Sequence, residues 1–547
     1  MNYPGHLPDT AHGAALDSAH IGDIRGALGT IAKSDRGARG TMSGKLKTLF
    51  AIMGPGLIVM VGDNDAGAFG TYTQAGQNYG TSLLWTLMLL VPVLYVNQEM
   101  VLRLGAVTGV GHANLIFARF GKFWGAFSVI DLFILNALTI VTEFIGIDLA
   151  LGFLGLNKTW GVIVAAVIVM GAASTGDFRR FERFALALVA GSLLLVPVVL
   201  IVHPPMAQIA HDFVTPQLPV HSKLTDVMLL VIAIVGTTVA PWQLFFQQSY
   251  VIDKRITPRF IPYERWDLVL GIVLVIIGGV AMIAFCAAAF AGRPEFGNFA
   301  DAGAVATGLA KYAGRIPATL FALALLDACV IGAAAVSLST AYALGDVLNV
   351  NHSLHRKPTE AKAFYLVYFA LIVVAAALVL APGTPLGLLT NAVQTLAGIL
   401  LPSATVFLLL LCNDEAVLGP WVNGRWLNLF TGGVVAVLVM LSVILTAAVM
   451  FPDLSEKAIL GILVGGSFVG IVTTAISRLV SKPNQRAEQR ADRLTDRAEW
   501  RMPPIELLPA ARLSLTERLW MTVLRGYLVI AAGLVLLRII KLATIHA

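Results

Sequence analysis

Apolar runs of about 20 residues, the length an α-helix needs to cross a bilayer, follow one another along most of this chain. Twelve such spans fall at 50–76, 82–103, 123–152, 159–174, 184–203, 227–252, 267–291, 316–348, 363–381, 387–412, 427–451 and 457–479. A further hydrophobic segment at 518–541 is weaker, because Arg525, Arg538 and Lys541 leave only a short uncharged stretch. It either crosses with snorkelling arginines or lies in the interface.

Two spans are interrupted at their centres. The first reads GPGLIVMVGDNDAGAFG (Gly54–Gly70) and the sixth VIAIVGTTVAPWQLFF (Val231–Phe246). Freed backbone groups and carboxylates are tolerated inside hydrocarbon only where they line a cavity or bind something. A pair of interrupted helices at matching places in two halves points to the central binding site of a transporter. The breaks fall in spans 1 and 6, as expected if five helices repeat with inverted topology, 1–5 against 6–10.

Composition agrees: 57% of the 547 residues are hydrophobic and 13% charged, with a mean hydropathy of +0.80. Soluble domains carry roughly a quarter charged residues. The net charge of +6 sits mostly in alternate loops, which argues for membrane orientation rather than nucleic-acid binding. Loops after even-numbered spans carry Arg103, Arg119 and Lys122; Arg179, Arg180 and Arg183; Lys254, Arg255, Arg259 and Arg265; and Arg356, Lys357 and Lys362. The 480–517 run adds Lys482, Arg486, Arg490, Arg493, Arg497 and Arg501, and the 292–315 connection is the main exception to the alternation. The positive-inside rule then places the amino terminus and 480–517 in the cytoplasm of a multi-pass protein of the cell inner (plasma) membrane. Residues 1–48, rich in Gly, Ser, Ala and charge, read as a disordered cytoplasmic tail, and 480–517 as a solvated amphipathic helix. Between them lie a transporter core over 49–415 and additional membrane helices over 416–479; 518–547 holds the last segment and the carboxyl terminus. Cys286, Cys329 and Cys412 lie in apolar stretches and read as small buried hydrophobes.

Asp65 is the leading candidate. An intramembrane carboxylate costs on the order of 3 kcal/mol and persists when paired, hydrated or needed by a cation, or as an N-cap of the resumed helix. Asp63 is ambiguous between coordination, attraction of cations and exposure to water. In the second break Pro241 cannot donate, and its ring conflicts with the Thr237 carbonyl. Carbonyls of Thr237, Thr238 and Ala240, with the threonine hydroxyls, are therefore candidates to face a cation; the plainer reading is a proline kink.

The stretch Gly54–Thr108 resembles the start of the NRAMP (natural resistance-associated macrophage protein) transporters of divalent metals. Their DPGN signature is matched by Asp65, Ala66, Gly67 and Ala68, and their MPH signature by Ala240, Pro241 and Trp242; TEFIG (Thr142–Gly146) and Gln394 extend the similarity. The resemblance implies an all-α polytopic LeuT-type fold with alternating access and no resident cofactor. The implied ion site is Asp65, Ala68, Thr237, Thr238, Ala240 and Gln394, with Gln394 in the outer shell or in a helix–helix hydrogen bond. Typical members have Asn and Met where this chain has Ala68 and Ala240, and a carbonyl-bearing Ala where it has Thr237. Loss of the soft sulfur leaves a wider, harder site, suited to a partly hydrated magnesium ion. This is similar to the NRAMP-related magnesium transporters, with manganese as a second substrate. Trp242 and Gln247 stand at the positions of two family histidines, and Ile140 replaces an acid, although Glu143 remains. That implies transport without proton coupling.

The competing expectations are a proton-coupled manganese or iron importer, a LeuT-type carrier of an organic substrate, and a membrane ion sensor signalling through its tails. No nucleotide-binding loop or hydrolytic constellation points to a pump or an enzyme.

Overall fold

The computed structural model describes residues 18–509 apart from 36, 38, 220–221, 382–385, 452–454 and 481–496, with a few isolated positions beyond 509. A short antiparallel hairpin, β1 (Ile24–Gly26) and β2 (Gly29–Ile31), precedes the helices. These begin with α1 (Met42–Ile52), α2 (Pro55–Val61), α3 (Ala66–Tyr79), α4 (Leu84–Thr108), α5 (His112–Phe120), α6 (Lys122–Phe153) and α7 (Lys158–Ala173). Next come α8 (Phe178–Gly191), α9 (Leu195–Val202), α10 (Met206–Val214), α11 (Leu224–Thr238), α12 (Pro241–Asp253) and α13 (Ile261–Phe290). The described helices end with α14 (Ala302–Tyr312), α15 (Arg315–Val347), α16 (Lys362–Leu380), α17 (Leu386–Asn413), α18 (Glu415–Leu418), α19 (Arg425–Met450) and α20 (Glu456–Val480).

Each of the twelve expected spans has helix over it. Among the described residues, nine helices are long and apolar enough to cross a membrane. The first span is not among them because its opening pieces are sharply bent, whereas α11 and α12 together count as one span, Leu224–Asp253. α1 and α2 meet at 52°, and α2 and α3 are separated by Gly62–Asp65. The 518–541 segment lies outside the described residues save isolated positions.

Sequence explains the bend between α1 and α2 and the interruption between α11 and α12. Pro55 opens α2 at a position where its missing N–H is no loss, after Gly54 at φ 154°, a backbone that side chains disfavour. A Cβ there would sit 2.3 Å from Glu182 Oε1. Pro241 likewise opens α12, forcing α11 to stop at Thr238. The two halves of the first break pack on α13, while α11 packs on α3 and α17, and α12 on α2, α4 and α15. Gly146 lets α6 approach both the start of α3 and α15, since a Cβ would lie 3.0 Å from the Ala66 Cβ and 2.3 Å from the Cys329 sulfur. The small residue of the TEFIG stretch thus has a packing role.

The expected tail is corrected over residues 18–48; residues 1–17 lie outside the described residues. Ile24 and Ile31 are buried, and the hairpin is gripped by loop cations. Arg183 donates to the Ala27 carbonyl at 3.2 Å, and Arg255 to the carbonyls of Ala19 and Asp23 at 2.7–3.1 Å. Arg259 reaches the carbonyls of Asp35 and Gly37 at 2.7 and 2.5 Å. A segment rich in Gly, Ser, Ala and charge lacks a core of its own, yet its backbone carbonyls are good partners for guanidinium groups.

The 480–517 reading is corrected in part. Residues 497–509 form no solvated helix but a strap along the ends of α4 and α5. Met502 N donates to Val107 O at 3.2 Å, Arg119 to Pro509 O at 2.6 Å, and Arg497 lies 3.9 Å above the Trp421 ring. Pro503, Pro504 and Pro509 exclude continuous helix there; residues 481–496 lie outside the described residues. In the 292–315 connection, Lys311 is paired with Glu295 at 3.0 Å. Hydrogen bonds from Tyr312 and Lys311 hold the Glu295 carboxyl down at about 2, so this loop's excess positive charge is partly neutralised.

Candidate functional site

The first break ends on Asp65, which caps α3: its Oδ1 accepts from the Ala68 N–H at 2.9 Å. The N-cap expected as the alternative role of this residue is present. Capping and cation binding are compatible, because a carboxylate has two oxygens and about four acceptor sites. Glu143 of α6 lies against Asp65 and accepts from the Ala66 N–H at 3.2 Å. Its carboxyl therefore also serves the start of α3.

Asp63 is fully buried. One of its oxygens accepts from the side-chain amide of Gln243 on α12, and the other has no partner. The same amide reaches the Thr238 carbonyl at 3.4 Å, and Gln243 Oε1 accepts from Gln98 of α4 at 2.8 Å. A second link joins the breaks. Tyr72 of α3 lies 2.7 Å from the Thr238 hydroxyl, which itself donates back to Ile234 O at 2.5 Å.

The two interruptions are therefore brought together, by Asp63–Gln243 and Tyr72–Thr238. Of the expected site residues, Asp65, Ala68, Thr237 and Thr238 are buried at this junction. The Thr237 carbonyl faces Pro241 in place of the amide four residues on, so it lacks that helical donor. The Ala240 carbonyl is engaged by the Gln243 N–H at 3.2 Å, which leaves it less available than expected. α17 crosses α11 where a Cβ on Gly236 would lie 3.5 Å from the Gly398 Cα. The Gln394 side chain, one turn earlier on α17, lies outside the described residues.

Gln98, Gln243 and Tyr72 were missed from sequence. The available signal was their polarity inside apolar spans, strongest at Asn97-Gln98-Glu99. The site is occluded: Asp63 is 0% and Asp65 6% exposed. Trp242 is buried too, its indole N–H without a partner, and the Gln247 amide is buried with none. A histidine does touch α12 from α5: His112 Nδ1 lies 2.9 Å from Gln248. Burial pushes its imidazole down to about 4, so it stays neutral through the physiological range.

A family model described as natural resistance-associated macrophage protein-like matches residues 56–448. This chain belongs to the NRAMP family. The divalent metal cation transporter MntH of Xylella fastidiosa (strain 9a5c) is 29% identical over 448 residues, covering 78% of this chain and 89% of the relative. MntH of Latilactobacillus sakei subsp. sakei (strain 23K) is 26% identical over 424 residues, 74% of this chain and 90% of that one. Among solved structures, the manganese transporter of Eremococcus coleocola superposes with a TM-score of 0.61 at 20% identity, over 80% of this chain and 95% of that chain. This NRAMP chain is a multi-pass membrane transporter of LeuT type, and not an enzyme. The match takes in α2, α3, α11 and α12 and ends within α19.

Proposed function

We propose that this NRAMP protein carries magnesium into the cell, with manganese as a second substrate, by alternating access and without moving protons. That the cargo is a divalent metal cation follows from family membership. The magnesium preference rests chiefly on the alanines at positions 68 and 240, where the resemblance leads one to expect an amide oxygen and a thioether. Two methyls there remove a soft ligand and widen the space, and the neighbouring donors of Asp65, Thr237 and Thr238 are hard oxygens. Magnesium sheds water reluctantly and favours sites that leave part of its shell in place.

Occlusion of the site in this conformation supports alternating access, since an ion reaches Asp65 only after the junction opens. Uptake would be driven by the ion gradient and by the membrane potential, worth about 4.6 kcal/mol per 100 mV for a dication, twice the single-charge value. The amino-terminal hairpin shares one end of the molecule with the cationic loops at 179–183 and 254–259. By the positive-inside rule that end is cytoplasmic, in the cell inner (plasma) membrane. Glu143, buried against Asp65, is the observation that favours a second reading, proton-coupled import of manganese or iron, because membrane acids commonly form relays.

Influx of magnesium, manganese and calcium into proteoliposomes, with internal pH recorded at the same time, separates the two. Magnesium influx without acidification is the expected result; metal-dependent acidification would establish the proton-coupled alternative. For selectivity, Ala68→Asn combined with Ala240→Met should shift preference toward manganese, iron or cadmium. A magnesium preference that survives both changes would remove the ligand argument.

A further inference from the structure

The geometry points to Asp63 as a second cation-binding carboxylate of this transporter, lying on the α2 side of Asp65 and held by Gln243 while the site is occluded. The inference rests on the transport reading above and specifies how the site would hold a strongly hydrated dication.

Asp65 has a structural duty as the cap of α3; Asp63 has none of that kind. The amides of the break are satisfied without it: Asp63 N donates to Met60 O at 3.3 Å and Asn64 N to Val61 O at 3.1 Å. The neighbouring Asn64 turns away and donates to Val275 O of α13 at 3.2 Å. Asp63 is nonetheless 0% exposed and keeps one oxygen without any partner. Among the described residues no lysine, arginine or histidine pairs with it. Its one donor is a neutral amide, and that amide is divided between the carboxylate and the Thr238 carbonyl.

A buried carboxylate so placed is costly unless a cation completes it. The adjacent charge is a second carboxylate, Asp65, and two like charges in one buried place favour a doubly charged guest over either alone. Gln243 is itself fixed from α4 by Gln98 at 2.8 Å. The Gln98–Gln243–Asp63 chain thus ties α4, α12 and the first break together. Opening the junction on the α2 side would separate α12 from the break, release the Asp63 oxygen held by Gln243, and leave both oxygens two residues from Asp65 along the backbone. The ion would then pass from one carboxylate to the next without losing all its charge compensation at once.

The alternative is that Asp63 merely braces Gln243, and two variants of the full chain in proteoliposomes separate the roles by sign. Asp63→Asn keeps an acceptor for the Gln243 amide but removes the charge. A ligand role predicts half-saturating magnesium and manganese concentrations raised by about 10- to 100-fold, the range seen when support of a metal site is lost. Gln243→Leu releases Asp63 from its amide, so a ligand role predicts affinity kept or tightened. Bracing predicts the reverse, an unchanged Asp63→Asn and a weakened Gln243→Leu, and that pattern would overturn the proposal. Should Asp63→Asn fail to elute as a monodisperse species, the Gln243→Leu affinity decides alone, a weakening counting against. Asp65→Asn runs alongside: if it is inactive while Asp63→Asn matches the unmodified protein, this inference falls and the transport reading stands. Absence of dication influx in the unmodified protein would instead remove the transport reading.

Discussion

Replacing Asp65 by asparagine is expected to reduce divalent-ion influx to the level of protein-free vesicles while leaving the melting temperature unchanged. The prediction follows from the two duties of this side chain. As a cap it needs only an oxygen for the Ala68 N–H, 2.9 Å away, and asparagine caps as well as aspartate. As the carboxylate at the meeting of the two interrupted helices it needs a charge, which asparagine lacks. Alanine would remove both and cost about 1 kcal/mol through the lost cap, so only the asparagine variant isolates ion binding from folding. Influx at the unmodified rate would take Asp65 out of the ion path and leave it a helix cap.

Much of this could be seen in the chain. The interruptions announce themselves because Asp63, Asn64 and Asp65 stand inside an apolar run and Pro241 inside another, where hydrocarbon offers no alternative partner. Their positions in spans 1 and 6 carried the fold. The partners across the gap were harder. Gln243 and Gln98 are ordinary-looking polar residues within helices, and whether a glutamine meets Asp63 or a neighbouring helix depends on rotation and crossing, which pattern along one chain does not encode. The same limit applies at the amino terminus. Ile24 and Ile31 give too little periodicity for a strand pair to stand out, and the hairpin exists because Arg183, Arg255 and Glu182 are there to receive it.

Those loop charges also change how the positive-inside pattern is understood. Along the sequence, Arg179, Arg183, Lys254, Arg255 and Arg259 report orientation. In the folded chain they bond the backbone of residues 19–53. Through Lys254, bonded to the carbonyls of Ile52 and Met53, these contacts reach the junction of α1 and α2. The carboxylate of Asp267 adds to this, accepting from the N–H groups of Gly54 and Gly56 at 3.1 and 2.6 Å.

Lys254→Met should cost about 3–5 kcal/mol of stability, the usual result of stripping one partner from a buried ion pair, and appear as a large drop in melting temperature. Lys254 and Glu182 are both 0% exposed. The ammonium spends its three protons on Glu182 Oε1 at 2.6 Å, Ile52 O at 2.6 Å and Met53 O at 2.8 Å. Methionine fills similar volume, so packing is conserved while Glu182 and two carbonyls lose their donor. Adding Glu182→Met should recover much of the loss, because two apolar side chains in place of a buried pair are often neutral or stabilising. The recovery would be incomplete, since Glu182 also accepts from the Ala27 N–H at 2.5 Å and so fastens the amino-terminal hairpin. Thermal unfolding of the two single variants and the double variant measures the coupling directly. A Lys254→Met protein that melts with the unmodified one would show that these charges are solvated in the membrane-embedded protein, and the account of this junction as a dry clamp on α1 and α2 would fail.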